Sequence, residues 1–212
     1  MYVPPYNAMD DDAQMRAFVT GIGAAQLVTV GADGYPAATL LPVIWAGDRV
    51  IAHLARANPQ WRDIEPDTPA LFVCQGNQAY VSPSWYAAKV EHGRVVPTWN
   101  YSAVELRGTV NVFHDADRLH DAVTLLTHDH EDGRDEPWSV TNAPTEYIDG
   151  QLRGIVGIEM RVEAANGKAK LSQNRSRADV EGVIAGLRTE PSSAAQAVAE
   201  EMQTNSRIFP SS

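Results

Sequence analysis

Residues 25–61, AQLVTVGADGYPAATLLPVIWAGDRVIAHLARANPQW, read as strands separated by tight turns. The runs AQLVTVG and AATLLPVIWA are β-rich, and Asp33-Gly34 between them is a strong hairpin signal. A second turn at Ala46-Gly47-Asp48 leads into RVIAHLA, so the segment predicts a meander of three strands. Pro42 lies inside the second strand. Proline has no N–H to give to a ladder, which predicts an edge or a bulge there.

The third strand runs into HLARANPQW, residues 53–61. An imidazole (His53), a guanidinium (Arg56) and a carboxamide (Asn58) precede Pro59, which turns the chain into a short helix. Backbone N–H groups at a helix start favour an anion, and arginine offers a planar fork that matches two phosphate oxygens. Two readings stay open. The stretch either holds a phosphate-bearing ligand at the strand end, or forms a capped turn beside a surface arginine. It matches none of the better-known phosphate fingerprints.

Working outward, Asp10 to Asp12 cap a helix whose Met15, Phe18, Val19 and Ile22 fall at helical spacing. Beyond the opening stretch, PALFVCQG predicts a buried strand and NQAYVSP its partner, turning at Gln75-Gly76-Asn77. The pattern lapses through SWYAAKVEHGRVVPTWN, and YSAVELRGTVNVF then alternates as a long strand. Asp115 opens a helix with Leu119, Ala122, Val123 and Leu126 on one face. Residues 127–142 read as an exposed polar connection, and GIVGIEMRVEAA as a last long strand. Ser176 and Asp179 form a Ser-x-x-Asp cap for a helix with Val180, Val183, Ile184 and Leu187 on one side. Residues 194–202 predict a tail helix.

About seven short-spaced strands with helices at the ends predict a mainly β fold with flanking helices, an antiparallel barrel and not a βαβ arrangement. The expected partition is a cofactor-binding barrel over residues 1–170 and a helical C-terminal appendage over 171–212.

Composition narrows the function classes. With 212 residues, 44% of them hydrophobic, the chain can bury a real core. No apolar run is long enough for a bilayer, and MYVPPYNAMDDD lacks a basic start and an apolar core, so the expected location is cytoplasmic. A net charge of −10 repels a phosphate backbone. Only Lys168, Lys170, Arg175 and Arg177 approach a basic patch, so direct DNA binding is not expected. Cys74, the one cysteine, sits in an apolar run and reads as inert packing. His128-Asp129-His130-Glu131-Asp132, with Asp135 and Glu136, lacks the ordered spacing of zinc sites and reads as a solvated acidic loop, so no metal site is expected. There is no Gly-x-Ser-x-Gly, Gly-x-Gly-x-x-Gly, P-loop or Cys-x-x-Cys. No side chain stands out as a general base, and no catalytic residue is assigned.

The aromatic segment carries Trp85-Tyr86 and Trp99-Asn100-Tyr101, with Ser82, Ser84, Thr98 and Asn100 as neutral donors nearby. Large rings on irregular backbone suit a planar ligand such as a flavin, a subunit interface, or a core plug under a loop.

Five motifs, MYVPPY, HLARANPQW, YVSPSWY, VPTWNY and GKAKLSQN, together resemble the PaiB family from Met1 to about Met202. Members of that family are labelled FMN-binding negative transcriptional regulators. The resemblance implies an FMN-binding split β-barrel, a homodimer with the cofactor pocket between subunits, and a regulator acting through bound flavin. Carried onto this chain, the pocket draws on Thr39 and the Leu40-Leu41-Pro42 backbone, on His53, Arg56 and Asn58, and on Ser84, Trp85, Trp99 and Asn100. Arg56 is the implied phosphate residue, and Lys170 completes the pocket across the dimer. The loop from Ala87 to Val95 departs from the pattern by being long and charged. The family also resembles haem-binding piperazate synthases, which form an N–N bond, and His53 or Tyr86 would then be the axial ligand. A flavin oxidoreductase with no regulatory role is a further alternative.

Overall fold

The structure, a computed structural model, describes residues 1–205. In chain order it runs β1 (Ala8–Met9), α1 (Asp12–Ile22), β2 (Ala24–Val30), β3 (Pro36–Pro42), β4 (Ile44–Ala46), β5 (Arg49–Ala55) and β6 (Thr68–Val81). It continues with α2 (Ala88–Glu91), β7 (Thr98–Phe113), α3 (Ala116–Glu131), α4 (Thr145–Leu152), β8 (Ile155–Lys170), α5 (Arg177–Thr189) and α6 (Ser193–Thr204). The fold is mainly antiparallel β with flanking helices, as the sequence predicts. Two compact units divide the chain. The larger takes Asp12–Cys74 and Val104–Ala165; the smaller takes Met1–Asp11, Gln75–Ala103 and the described residues from Asn166 on. Residues 206–212 of the expected appendage lie outside the described residues.

In the larger unit both predicted tight turns form. The β2–β3 hairpin pairs Val30 with Pro36, the β4–β5 hairpin pairs Ala46 with Arg49, and Gly34 and Gly47 supply φ of +82° and +58°. The predicted second strand is two strands. Pro42 ends β3, the Val43 N–H bonds the Gly23 carbonyl at 3.0 Å, and β4 starts at Ile44. The hydrogen-bonded path runs β3-β2-β6-β7-β8-β5-β4, so β3 and β4 lie at its opposite ends although one residue joins them. A sheet whose end strands are covalent neighbours has to curl back on itself, which gives the split β-barrel.

Alternation fills that curl. Leu27, Val50, Ala52, Leu54, Phe72, Leu106, Ile158 and Met160 are almost fully buried, at period two along their strands. Cys74 lies among them, and burial raises its thiol to about 11, so it is packing. A second cluster of Phe113, Leu119, Ala122 and Leu152 forms with Ile51, Val123, Ile148 and Ile155 packed against it. The Phe113 ring occupies the space beside Gly157, where an added Cβ would stand 2.1 Å from its Cζ.

In the smaller unit β1 pairs with the end of β8 in the register Ala8↔Lys168. Helices α5 and α6 bury Val183, Leu187, Val198 and Met202. Ser176 Oγ caps α5 by accepting from the Asp179 N–H at 3.2 Å, which bears out the sequence reading.

Three expectations need correction. β6 is one strand from Thr68 to Val81, with no turn at Gln75-Gly76-Asn77. Neither Gly76 nor Asn77 takes the left-handed backbone that would reverse the chain. Helix α3 runs through the supposed loop to Glu131, so His128 and His130 are helical. Its last turns are held by polar pairs, His128 to Asp132 at 3.2 Å and Arg134 to Glu131 at 3.2 Å, which apolar periodicity does not register. Helix α4 has little apolar signal beyond Ile148 and Leu152 and was not expected. No helix among the described residues is long and apolar enough to cross a membrane.

Gly157→Ala overpacks the Phe113 contact and is expected to destabilise the chain by about 1–3 kcal/mol, read as a lower urea midpoint. An unchanged midpoint would show that the ring is free to move aside.

Candidate functional site

Four of the expected site residues fall in the larger unit: Thr39, His53, Arg56 and Asn58. Asn58 caps the turn Pro59–Asp63, its Oδ1 accepting from the Gln60 N–H at 3.0 Å. Its Nδ2 donates to Thr39 Oγ1 at 3.0 Å, and Thr39 Oγ1 donates to Gln60 Oε1 at 2.6 Å. Gln60 Nε2 in turn reaches the Leu27 carbonyl, Thr29 Oγ1 and the Ala37 carbonyl at 3.1–3.2 Å. Sequence reasoning missed Gln60, which is buried at the centre of this network. Its place after Pro59 in a motif of polar residues was the available signal. Thr39 and Asn58 thus meet, and the capped-turn reading describes Asn58.

Arg56 has a tethering role. Its Nε donates to the Arg153 carbonyl at 2.8 Å and its Nη2 to the Ile155 carbonyl at 2.9 Å, fixing the guanidinium to the turn between α4 and β8. A guanidinium carries five N–H donors, so the tether leaves others available. Arg56 also lines a cavity of about 320 Å³ with His114, Arg153 and Asp149. Two guanidinium groups and an imidazole there face one carboxylate.

His53 stands on the face of β5 opposite Val50, Ala52 and Leu54, in register with Gly157. Burial holds its pKa below the ordinary histidine value, so the neutral imidazole is favoured. Its Nδ1 is buried without a hydrogen-bond partner. Such an orphan marks a group that a ligand can satisfy.

The other five, Ser84, Trp85, Trp99, Asn100 and Lys170, fall in the smaller unit. Ser84 is exposed and accepts from Lys89 Nζ at 3.1 Å. Trp85 lies against α5, its ring so close to Gly186 that a Cβ there would stand 2.3 Å away. That is the core-plug reading. Trp99 is 52% exposed and meets Tyr80 edge-on at 6.3 Å, leaving it free to stack. Asn100 is fully buried, donating to Ser172 Oγ at 3.0 Å and to Met202 Sδ at 3.3 Å.

Lys170 Nζ donates to Thr98 Oγ1 and to the Trp99 carbonyl. Burial, then the like charges of Lys168 and Arg175, pull its ammonium below the usual lysine range. The Tyr86 hydroxyl is buried without a sound hydrogen bond although Arg175 and Ser172 stand near it, and Arg175 lies 4.8 Å over its ring. Lys170 and Asn100 therefore share one surrounding, with Arg175 and Ser172 as residues not expected there. The basic run in and after GKAKLSQN was the sequence signal for Arg175.

Known proteins resemble this chain in sequence and in fold. The family model described as "Putative FMN-binding domain" matches residues 1–164. The chain is 34% identical to the Bacillus subtilis protein named protease synthase and sporulation protein PAI 2, over 96% of this chain and 97% of that one. A FAD and heme binding protein from Mycobacterium smegmatis shares the fold at TM-score 0.58 and 17% identity, over 77% of this chain and 73% of that one. The flavocytochrome Anf3 from Azotobacter vinelandii does so at TM-score 0.54 and 16% identity, over 79% and 72%.

The His53 environment makes a pH prediction. Its native pKa lies below the ordinary 6.5, so on acidification the unfolded chain takes up a proton that the native chain refuses. Stability falls as pH drops below 6.5 and levels off under the native pKa. His53→Gln should flatten that decline in urea unfolding between about pH 7.5 and about pH 5. Parallel wild-type and variant curves would contradict the assignment.

Proposed function

The chain belongs to the PaiB-type family of FMN-binding domains, and from that membership we propose that it binds FMN as a homodimer and acts as a flavin-linked negative regulator. One observation carries the binding step: Arg56, tethered by two backbone carbonyls, lines a cavity it shares with Arg153 and His114. A pre-positioned guanidinium fork loses little freedom on meeting a phosphate, which makes its hydrogen bonds effective. The Thr39–Asn58–Gln60 network supports the role by fixing the backbone that carries Arg56. In the smaller unit, the half-exposed Trp99 offers a face for a flat ring. When bound, the isoalloxazine would supply the redox chemistry, and the protein would hold and orient it.

Apolar exposure on the β2–β3 hairpin, where Val30 and Leu40 are 58% and 67% exposed, supports a second copy as partner. The charge of −10 supports regulation without direct DNA contact, through a flavin or small-molecule signal. A haem reading is favoured by one observation, the neutral and unpartnered imidazole of His53.

Arg56→Ala is expected to weaken FMN binding by about 1.5–3 kcal/mol in a fluorescence titration, and to leave the affinity for riboflavin, which lacks the phosphate, nearly unchanged. Equal FMN affinity in variant and wild type would remove Arg56 from the site.

A further inference from the structure

The smaller unit holds a second cavity, of about 140 Å³, lined by Tyr86, Thr98, Asn100, Lys170, Ser172 and Arg175 among others. Its size falls below the ~300–1,000 Å³ of pockets that enclose drug-sized ligands, so it fits a small group and not an entire flavin. Among the described residues no carboxylate lines it. Asp179, the acidic group near Tyr86, is buried and accepts from the Ala88 N–H at 2.9 Å.

Positive charge is concentrated there without a counter-ion on the walls. Lys170 uses two of its three donors on Thr98 and the Trp99 carbonyl, which fixes the ammonium in place. Lys168 lies close enough to act on Lys170, and its own Nζ donates to the Tyr2 carbonyl at 3.1 Å. Arg175 stacks on Tyr86, and the Tyr86 hydroxyl is a buried donor with no good acceptor. Ser172, held by Asn100, takes a φ of +68°, a strained conformation for a residue with a side chain and one that collects at ligand sites. An anion between Lys170, Arg175 and the Tyr86 hydroxyl would answer the unbalanced charge and the orphaned donor together.

We propose that this cavity is an oxyanion site, taking the carboxylate or phosphate group of a ligand between Lys170, Arg175 and the Tyr86 hydroxyl. The site shares no lining residue with the Arg56 cavity and does not require that Arg56 binds FMN. Two sources share the chemistry, a small anionic substrate and the phosphate of a flavin.

The test is an NMR titration of the full chain, free of cofactor, with inorganic phosphate and separately with acetate. Saturable shifts at Thr98, Asn100 and Ser172 are expected. Arg175→Gln should weaken them about tenfold or more, Arg175→Lys should restore part of the affinity, and Arg56→Ala should leave them unchanged. Asn174→Asp, an exposed change that adds a carboxylate to the lining, should abolish them without disturbing the fold. If FMN displaces phosphate and riboflavin does not, the oxyanion is the flavin's own; if both ligands bind together, it belongs to a separate small molecule. Absent shifts with either anion, or equal shifts in wild type, Arg175→Gln and Asn174→Asp, would overturn the proposal.

Discussion

Most of the larger unit follows from the shortness of one connection. Val43 alone separates β3 from β4, yet these strands end opposite sides of the hydrogen-bonded path. Closure of the sheet therefore follows from covalent distance as well as from side-chain packing. Pro42 makes the break possible, because it cannot continue a ladder and leaves the Val43 N–H to bond Gly23. Closure also lets the turn after β5 meet the β2–β3 hairpin, where Gln60 bonds the carbonyls of Leu27 and Ala37. A buried carboxamide with these partners is costly to displace, so the residues around it hold one arrangement.

That arrangement explains why His53, Arg56 and Asn58 differ in role despite their closeness in sequence. Asn58 is committed to capping and to Thr39. Arg56 bonds two backbone carbonyls and lines a cavity. His53 alone keeps a buried polar atom unpaired. The smaller unit reaches a cationic cavity differently, by crowding Lys170 and Arg175 where no carboxylate among the described residues lines the wall. Burial and like charge both disfavour the ammonium there, while Asp149 partly balances the Arg56 cavity.

The two tight turns and the long strands were legible because Asp33-Gly34, Gly47-Asp48 and the period-two runs each have a local cause. The sequence of strand pairing was not, since nothing local in AATLLPVIWA says that its halves part company at Val43. Gly76-Asn77 misled for the opposite reason: turn-forming residues permit a reversal but do not compel one, and β6 runs straight through them. The motif HLARANPQW drew attention to His53, Arg56 and Asn58 while hiding Gln60, whose partners lie on strands far away in sequence. Trp85 packs against Gly186 and Asn100 bonds Ser172, contacts with residues far away in sequence that no local pattern announces.

The absorption spectrum of the purified chain, taken before and after incubation with FMN and removal of excess ligand, bears most directly on what this barrel carries. The account predicts the two broad visible bands of a retained flavin. A Soret band in their place, or a protein that returns colourless from FMN, would contradict it.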